Sequence, residues 1–137
     1  SFTFQEFSQR YADSSQLGDI PIPELRRQDI KNRQNSISDL PEEIKNKYTN
    51  KIKEHFKKAS DLYEEMLDAG IAKECSRFIL PLATPTRIYM TGSCRSWIHY
   101  IKLRSANGTQ EEHKQIALNC RKIFKENFPI VSQALDW

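Results

Sequence analysis

Glycine is scarce in this sequence, with four in 137 residues, and cysteine is scarcer still, with three. The glycines cluster nowhere, so there is no Gly-rich phosphate loop and no Gly-x-Ser-x-Gly nucleophile elbow. Cys75, Cys94 and Cys120 form an odd set at spacings of 19 and 26, which fits neither a disulfide framework nor a zinc site. Free thiols of this kind suit a reducing, cytoplasmic compartment. His55, His99 and His113 include no His-x-x-x-His pair, so no metal site is expected, and no Cys–His nucleophile pair stands out. Long apolar runs are missing too, which leaves nothing to span a bilayer, and no signal-peptide pattern appears. A large excess of charge of one sign is also absent. Lys and Arg number 21 against 18 Asp and Glu, and the net +3 does not by itself point to a nucleic acid or a membrane.

What is present is enough for one folded domain. The chain is 38% hydrophobic and carries 14 aromatic residues, which argues against disorder. A domain of this length buries roughly two-thirds of its unfolded surface and needs no covalent staple. Residues 1–11 alternate aromatic and polar side chains. They read as an extended segment with an aromatic face (Phe2, Phe4) set against a polar one (Glu6, Ser8, Arg10). Residues 12–40 are polar and broken by Gly18, Pro21 and Pro23, with short strands expected around Ile20–Ile22 and a charged surface excursion from Leu25 to Ser36.

A long helix is expected next, capped by Asp39, with Pro41, Glu42 and Glu43 in its first turn and Gly70 at its end. Ile44, Tyr48, Ile52, Phe56, Ala59, Tyr63 and Met66 or Leu67 form its apolar stripe. A helical turn in Ile71–Leu80 stops at Pro81, and Pro85–Thr91 reads as a strand. A second helix follows Ser93 as cap, with Cys94, Trp97, Ile98 and Ile101 on its apolar face and Arg95, His99 and Lys102 on another. Thr109 and Glu112 form a capping box for a third helix, which buries Ile116, Ala117, Cys120, Ile123 and Phe124 and ends near Pro129. No internal repeat or low-complexity run interrupts this order. The fold class is α+β, mixed and helix-rich, with a small antiparallel sheet and long central helices.

Several residues carry candidate chemistry. Glu6, Phe7, Ser8, Gln9 and Arg10 put a carboxylate, a hydroxyl and a guanidinium within five positions, a set suited to a phosphate or simply to an exposed edge strand. Arg77 sits among Ala72, Phe78, Ile79 and Leu80 and needs a partner if it is buried. Arg104 falls at a helix C-terminus, where dipole compensation is the simplest role, and a structural hydrogen bond is the simplest role for His99. The basic stretch from Arg26 to Lys58 is interleaved with Asp29, Glu42, Glu43 and Glu54, which reads as a solvated face more than as a nucleic-acid module.

The segment ECSRFILPLATPTRIYMTGSCRSWIHYIKLRSANGTQEEH, from Glu74 to His113, resembles the C-terminal half of flavin-dependent thymidylate synthases. Arg77 ahead of Leu80-Pro81-Leu82, Arg95-Ser96 ahead of Arg104, and Gln110 with Glu112 carry the likeness. Thr3 to Tyr11 resembles the second part of the same family's signature, with Gln5 for a commoner Asn, Gln9 for Gly and Thr3 for Ser. Ser93 and His99 stand where many members have Asn, and Gly108 where many have His. Together these departures resemble a cyanobacterial or algal-virus variant. The likeness covers nearly the whole chain and is weakest over Leu25–Lys58.

The resemblance implies a thymidylate synthase-complementing fold and a methyltransferase that converts dUMP to dTMP, with methylenetetrahydrofolate as donor and FAD and NADPH as the hydride source. It implies that Glu6, Phe7, Ser8, Gln9, Arg10 and Arg77 bind dUMP and that Arg104 contacts its pyrimidine near N3. It assigns Ser93, Cys94, Arg95, His99 and Glu6 to the flavin, with no metal. A homotetramer with shared active sites, and no nucleic-acid or membrane partner, is implied as well. The family's Arg-His-Arg is expected immediately before Ser1, so residues 1–137 read as one domain's C-terminal part, not expected to turn over alone. The alternatives are a degenerate or incomplete relative that only binds nucleotide or assembles, and a basic nucleic-acid-binding module.

Overall fold

A computed structural model describes residues 1–8 and 18–137. Gln9 and Arg10 lie outside the described residues. Among the described residues the elements are, in order, β1 (Phe2–Glu6), β2 (Arg27–Gln28), β3 (Ser36–Ile37), α1 (Glu42–Asp68), α2 (Lys73–Ser76), a 3-10 turn (Arg77–Ile79), β4 (Ile88–Gly92), α3 (Cys94–Arg104), α4 (Glu111–Asn127) and α5 (Pro129–Ala134). β1 pairs with β4 and β2 with β3, giving two small antiparallel sheets. Two compact units result: a first of Ser1–Thr3, Arg27–Ile37 and Thr91–Trp137, and a second of Phe4–Arg26 and Ser38–Met90.

In the second unit α1 starts one residue after Pro41, which is the N-cap and offers no side-chain cap. Asp39 is therefore not the cap. Proline disfavours helix in the residue before it, so the helix cannot reach back past Leu40 to an Asp39 cap. Glu42 and Glu43 still occupy the first turn, where the helix dipole favours them. At the other end Gly70 N–H reaches the Leu67 carbonyl (2.9 Å) and Ile71 N–H the Met66 carbonyl (2.9 Å), with Gly70 at φ +82. This is a Schellman closure, and it needs the left-handed residue that glycine supplies. The apolar stripe of α1 is unevenly covered. Tyr63 is buried, Ile52, Phe56, Ala59, Met66 and Leu67 are half-buried, and Ile44 and Tyr48 are exposed. Both α2 and the 3-10 turn pack against α1.

The basic residues of α1 are largely engaged. Lys45 pairs with Glu42 (3.1 Å) and Glu24 (3.6 Å), Lys57 pairs with Asp61 (2.8 Å), and Lys47 and Lys51 lie over the Tyr48 ring at 5.8 and 5.9 Å. Glu24 also accepts from the Ser38 hydroxyl, the main reason its carboxyl sits below the usual range, with Lys45 and Arg26 adding to the effect.

In the first unit the stretch expected to be a charged excursion folds as a hairpin, with Arg27 opposite Ile37 and Gln28 opposite Ser36. No strand forms at Ile20–Ile22. The hairpin loop is held by polar side chains. Gln28 Nε2 lies 3.1–3.2 Å from the carbonyls of Asp29, Arg33 and Asn35, and Asp29 Oδ1 accepts from the N–H groups of Lys31 and Asn32. Such side-chain closure leaves no period-two apolar pattern to read.

α3, α4 and α5 pack in sequence around Ile101, Ala117 and Phe124. The N-cap of α4 is Gln110, without a side-chain cap bond, so the Thr109–Glu112 capping box does not form. Glu112 is then the second helical residue, and its carboxylate accepts from Gln110 Nε2 instead (3.0 Å). Ile116 and Ile123 are exposed, not buried as expected, because they sit off the side of α4 that carries Ala117 and Phe124 against α3 and α5. α5, absent from the expectation, starts with Pro129 at its first position, where a missing N–H costs nothing. Its end returns Trp137 to Phe124, ring centroids 5.6 Å apart.

Candidate functional site

α3 carries most of the candidate residues. Ser93 is its N-cap in extended backbone, and its Oγ accepts from the Ser96 N–H at 3.2 Å, as the sequence led us to expect. The first N–H groups of a helix have no carbonyl within it, so those of Cys94 and Arg95 remain available to a ligand. Arg95 and His99, four residues apart, share one exposed side of α3. His99 makes no hydrogen bond among the described residues, which removes the structural role considered for it. Cys94 shares a side of α3 with Trp97, Ile98 and Ile101 but is exposed, since burial in α3 centres on Ile101, two turns further on. Arg104 is exposed in the last turn. At 3.6 residues per turn it lies about half a turn around from Arg95, so the two arginines face different directions. Arg104 shares its side of α3 with Tyr100.

The start of α3 thus combines N–H groups unused within the helix with the exposed Arg95 and His99 one turn apart. Such donors suit an anionic, hydrogen-bond-accepting group.

The start of α3 is locked by rings. Phe2 lies edge-on to Trp97 (5.1 Å) and to Tyr100 (6.2 Å), and Trp97 lies edge-on to Tyr100 (5.6 Å). Gly92, just ahead of the Ser93 cap, is where the Phe2 ring sits; a Cβ there would come within 2.6 Å of it. Tyr100 Oη is 3.0 Å from His113 Nε2 on α4. Burial raises the Tyr100 phenol above its usual range, the Cys120 thiolate would raise it further, and the Arg104 charge opposes both. Burial likewise raises the Cys120 thiol. Neither Tyr100 nor His113 stood out in the sequence. They are 13 positions apart on different helices, so no local spacing joins them.

In the second unit, Glu6 Oε1 accepts from the Thr86 hydroxyl (3.1 Å), and the Phe7 N–H donates to the Arg87 carbonyl (2.9 Å). Glu6 and Ser8 are exposed and Phe7 is half-buried. The expected aromatic and polar faces of β1 do not exist as such. Alternate residues of a strand share a side, so Phe2 and Phe4 belong with Glu6, and Phe4 is 65% exposed. Arg77 is half-buried with its guanidinium 5.6 Å above the Phe78 ring and without an ion pair among the described residues. The packing it lacks in charge is met by a cation–π contact. A cavity of about 660 Å³ in this unit is lined by Ile20, Phe56, Tyr63 and Leu80 with Lys53 and Ser60, and none of Glu6, Phe7, Ser8 or Arg77 reaches it. The described residues contain no group of three or more His, Cys, Asp or Glu able to hold a metal, and no described helix is long and apolar enough to cross a membrane.

Residues 1–130 match the family model described as thymidylate synthase complementing protein. A probable flavin-dependent thymidylate synthase of Paramecium bursaria Chlorella virus 1 is 51% identical over the whole chain, and a flavin-dependent thymidylate synthase of Synechocystis is 52% identical. An algal virus and a cyanobacterium are the two sources whose variant the sequence resembled. The chain spans 62% of the length of each of these relatives. Among solved structures, a UMP/dUMP methylase from Streptomyces cacaoi bound with 5-Br dUMP superposes with a TM-score of 0.81 at 21% identity, covering 98% of this chain and 61% of that one. At that identity the likeness shows the fold.

Proposed function

Because this chain belongs to the thymidylate synthase complementing protein family, we propose that it serves in the methylation of dUMP to dTMP, with methylenetetrahydrofolate as one-carbon donor and NADPH as reductant. The observation that carries this reading is α3, with a capped, donor-rich start bearing exposed Arg95 and His99, and a separate exposed guanidinium at Arg104.

In this reading Arg104 faces the pyrimidine. Negative charge develops on the ring as its C5–C6 bond is activated, and a guanidinium held beside N3 and the carbonyls stabilises that charge without giving up its own proton. Glu6, Phe7, Ser8, Gln9 and Arg10 hold the nucleotide's phosphate and sugar, with Arg77 as a second contact. Ser8 is a positioning hydroxyl: it is exposed, and no histidine or lysine base contacts it among the described residues. Ser93, Cys94, Arg95 and His99, with Glu6, would hold FAD, which when bound supplies the hydride chemistry. The three cysteines need play no covalent part. Residues 1–137 form the C-terminal portion of the catalytic domain, and a homotetramer completes sites shared between subunits.

The test is Arg104→Ala in the full-length protein. The substituted side chain is exposed, so the thermal midpoint should hold while dUMP methylation falls by about 10²-fold or more, the usual loss when a charge-stabilising donor is removed. Near-normal turnover would reject the role given to Arg104. A purified protein that retains no flavin absorbance after incubation with FAD and removal of the unbound cofactor would reject the cofactor assignment.

A further inference from the structure

Tyr100 is not among the residues singled out within the Glu74–His113 likeness, yet it joins α3 to both its neighbours. Its ring meets Trp97 and Phe2 edge-on, and its hydroxyl bonds His113 of α4 at 3.0 Å. Phe2 is itself fixed over Gly92, one residue before the helix cap. All five residues lie in the same unit.

These contacts differ in kind. Ring packing resists separation of α3 from its neighbours, and its edge-on preference holds over a broad range of centroid distances. A hydrogen bond weakens steeply off its axis. The Tyr100–His113 bond is therefore a directional contact between α3 and α4. Arg104 is one turn along from Tyr100 on the same side, near enough for its charge to act on the phenol.

We infer that Tyr100 and His113 are a positioning pair, whose hydrogen bond sets the rotation of α3 and so the direction in which Arg104 presents its guanidinium to the nucleotide base. The inference rests on the dUMP reading above. Neither residue touches the nucleotide; both act through the helix. Tyr100→Phe keeps every ring contact and removes only the bond. His113→Gln keeps a hydrogen-bonding group at similar reach, and His113→Leu keeps bulk alone.

The experiment measures dUMP binding to the full-length protein by calorimetry, with inorganic phosphate as a competing probe of the phosphate end. Tyr100→Phe and His113→Leu should each weaken dUMP about 5- to 10-fold, the loss typical of one hydrogen bond. The double variant should bind no worse than either single one, and His113→Gln should recover most of the affinity. Phosphate competition should stay unchanged, which general loosening of the fold would not allow. Wild-type affinity in Tyr100→Phe, independent losses that multiply in the double variant, or an equal loss for phosphate would each overturn the inference. If Tyr100→Phe does not fold, the contrast between His113→Leu and His113→Gln decides the matter, equal affinities counting against it. A wild-type protein that does not bind dUMP refutes the dUMP reading itself and this inference with it. A wild type that binds beside an unaffected Tyr100→Phe refutes the inference alone.

Discussion

Replacing Gly92 by alanine tests the ring lock at the start of α3. The added methyl would stand 2.6 and 2.7 Å from two carbons of the Phe2 ring, closer than nonbonded carbons approach, so the ring must leave its place. It cannot tilt freely, because Trp97 and Tyr100 flank it at 5.1 and 6.2 Å. Edge-to-face aromatic pairs contribute ~0.5–1.5 kcal/mol each beyond area burial. Overpacking by a methyl costs ~1–3 kcal/mol. Losing the geometry of one or both pairs thus gives a destabilisation of about 2 kcal/mol. For a chain of this length that lowers Tm by roughly 6–10 °C. Strand entropy works the other way, since alanine is favoured over glycine by ~0.5–1 kcal/mol where it fits. The decisive assay is a double-mutant cycle by thermal denaturation with Phe2→Ala, which removes the ring the methyl would strike. In that background Gly92→Ala should be neutral or slightly stabilising, for a coupling of about 2 kcal/mol. An equal cost in both backgrounds would refute the steric argument.

Other outcomes follow from the same unit. Both the Cys120 thiol (ordinary value 9.0) and the Tyr100 phenol (ordinary value 10.0) are held upward by burial, so the folded state favours their neutral forms. That contribution is complete below the ordinary values and is lost as pH rises through the higher folded ones. Thermal scans should therefore show stability falling above about pH 9, and Cys120→Ala with Tyr100→Phe should flatten the fall; an unchanged slope counts against it. Ser93→Ala removes the cap bond to Ser96 N–H and should cost about 1 kcal/mol. Its amide exchange should rise in the first turn of α3 and not in α4, and uniform exchange across both helices would contradict the local role.

The helices were legible where the signals are local. Ser93 precedes α3 and caps it, Gly70 closes α1, and acidic residues open α1, because caps and dipole compensation involve residues within a few positions of each other. The arginines on α3 were legible for the same reason, through helical spacing and a motif. Where two candidate caps compete, position along the sequence misleads: Asp39 and Thr109 both stand a residue or more ahead of the caps used, Pro41 and Gln110. The hairpin of Arg27–Ile37 escaped because its loop is closed by Gln28 and Asp29 side chains on backbone groups, not by an apolar alternation.

By itself the sequence determined the family, the helix-rich class and the arginines on which the proposed chemistry rests, since each is written in residue type and short-range spacing. Only the tertiary structure decided which apolar side chains are covered, that Phe2 needs the bare backbone of Gly92, and that Tyr100 meets His113 across two helices. Those contacts join positions up to 90 residues apart, and no local pattern encodes a contact whose partners are brought together only by the packing of one element on another.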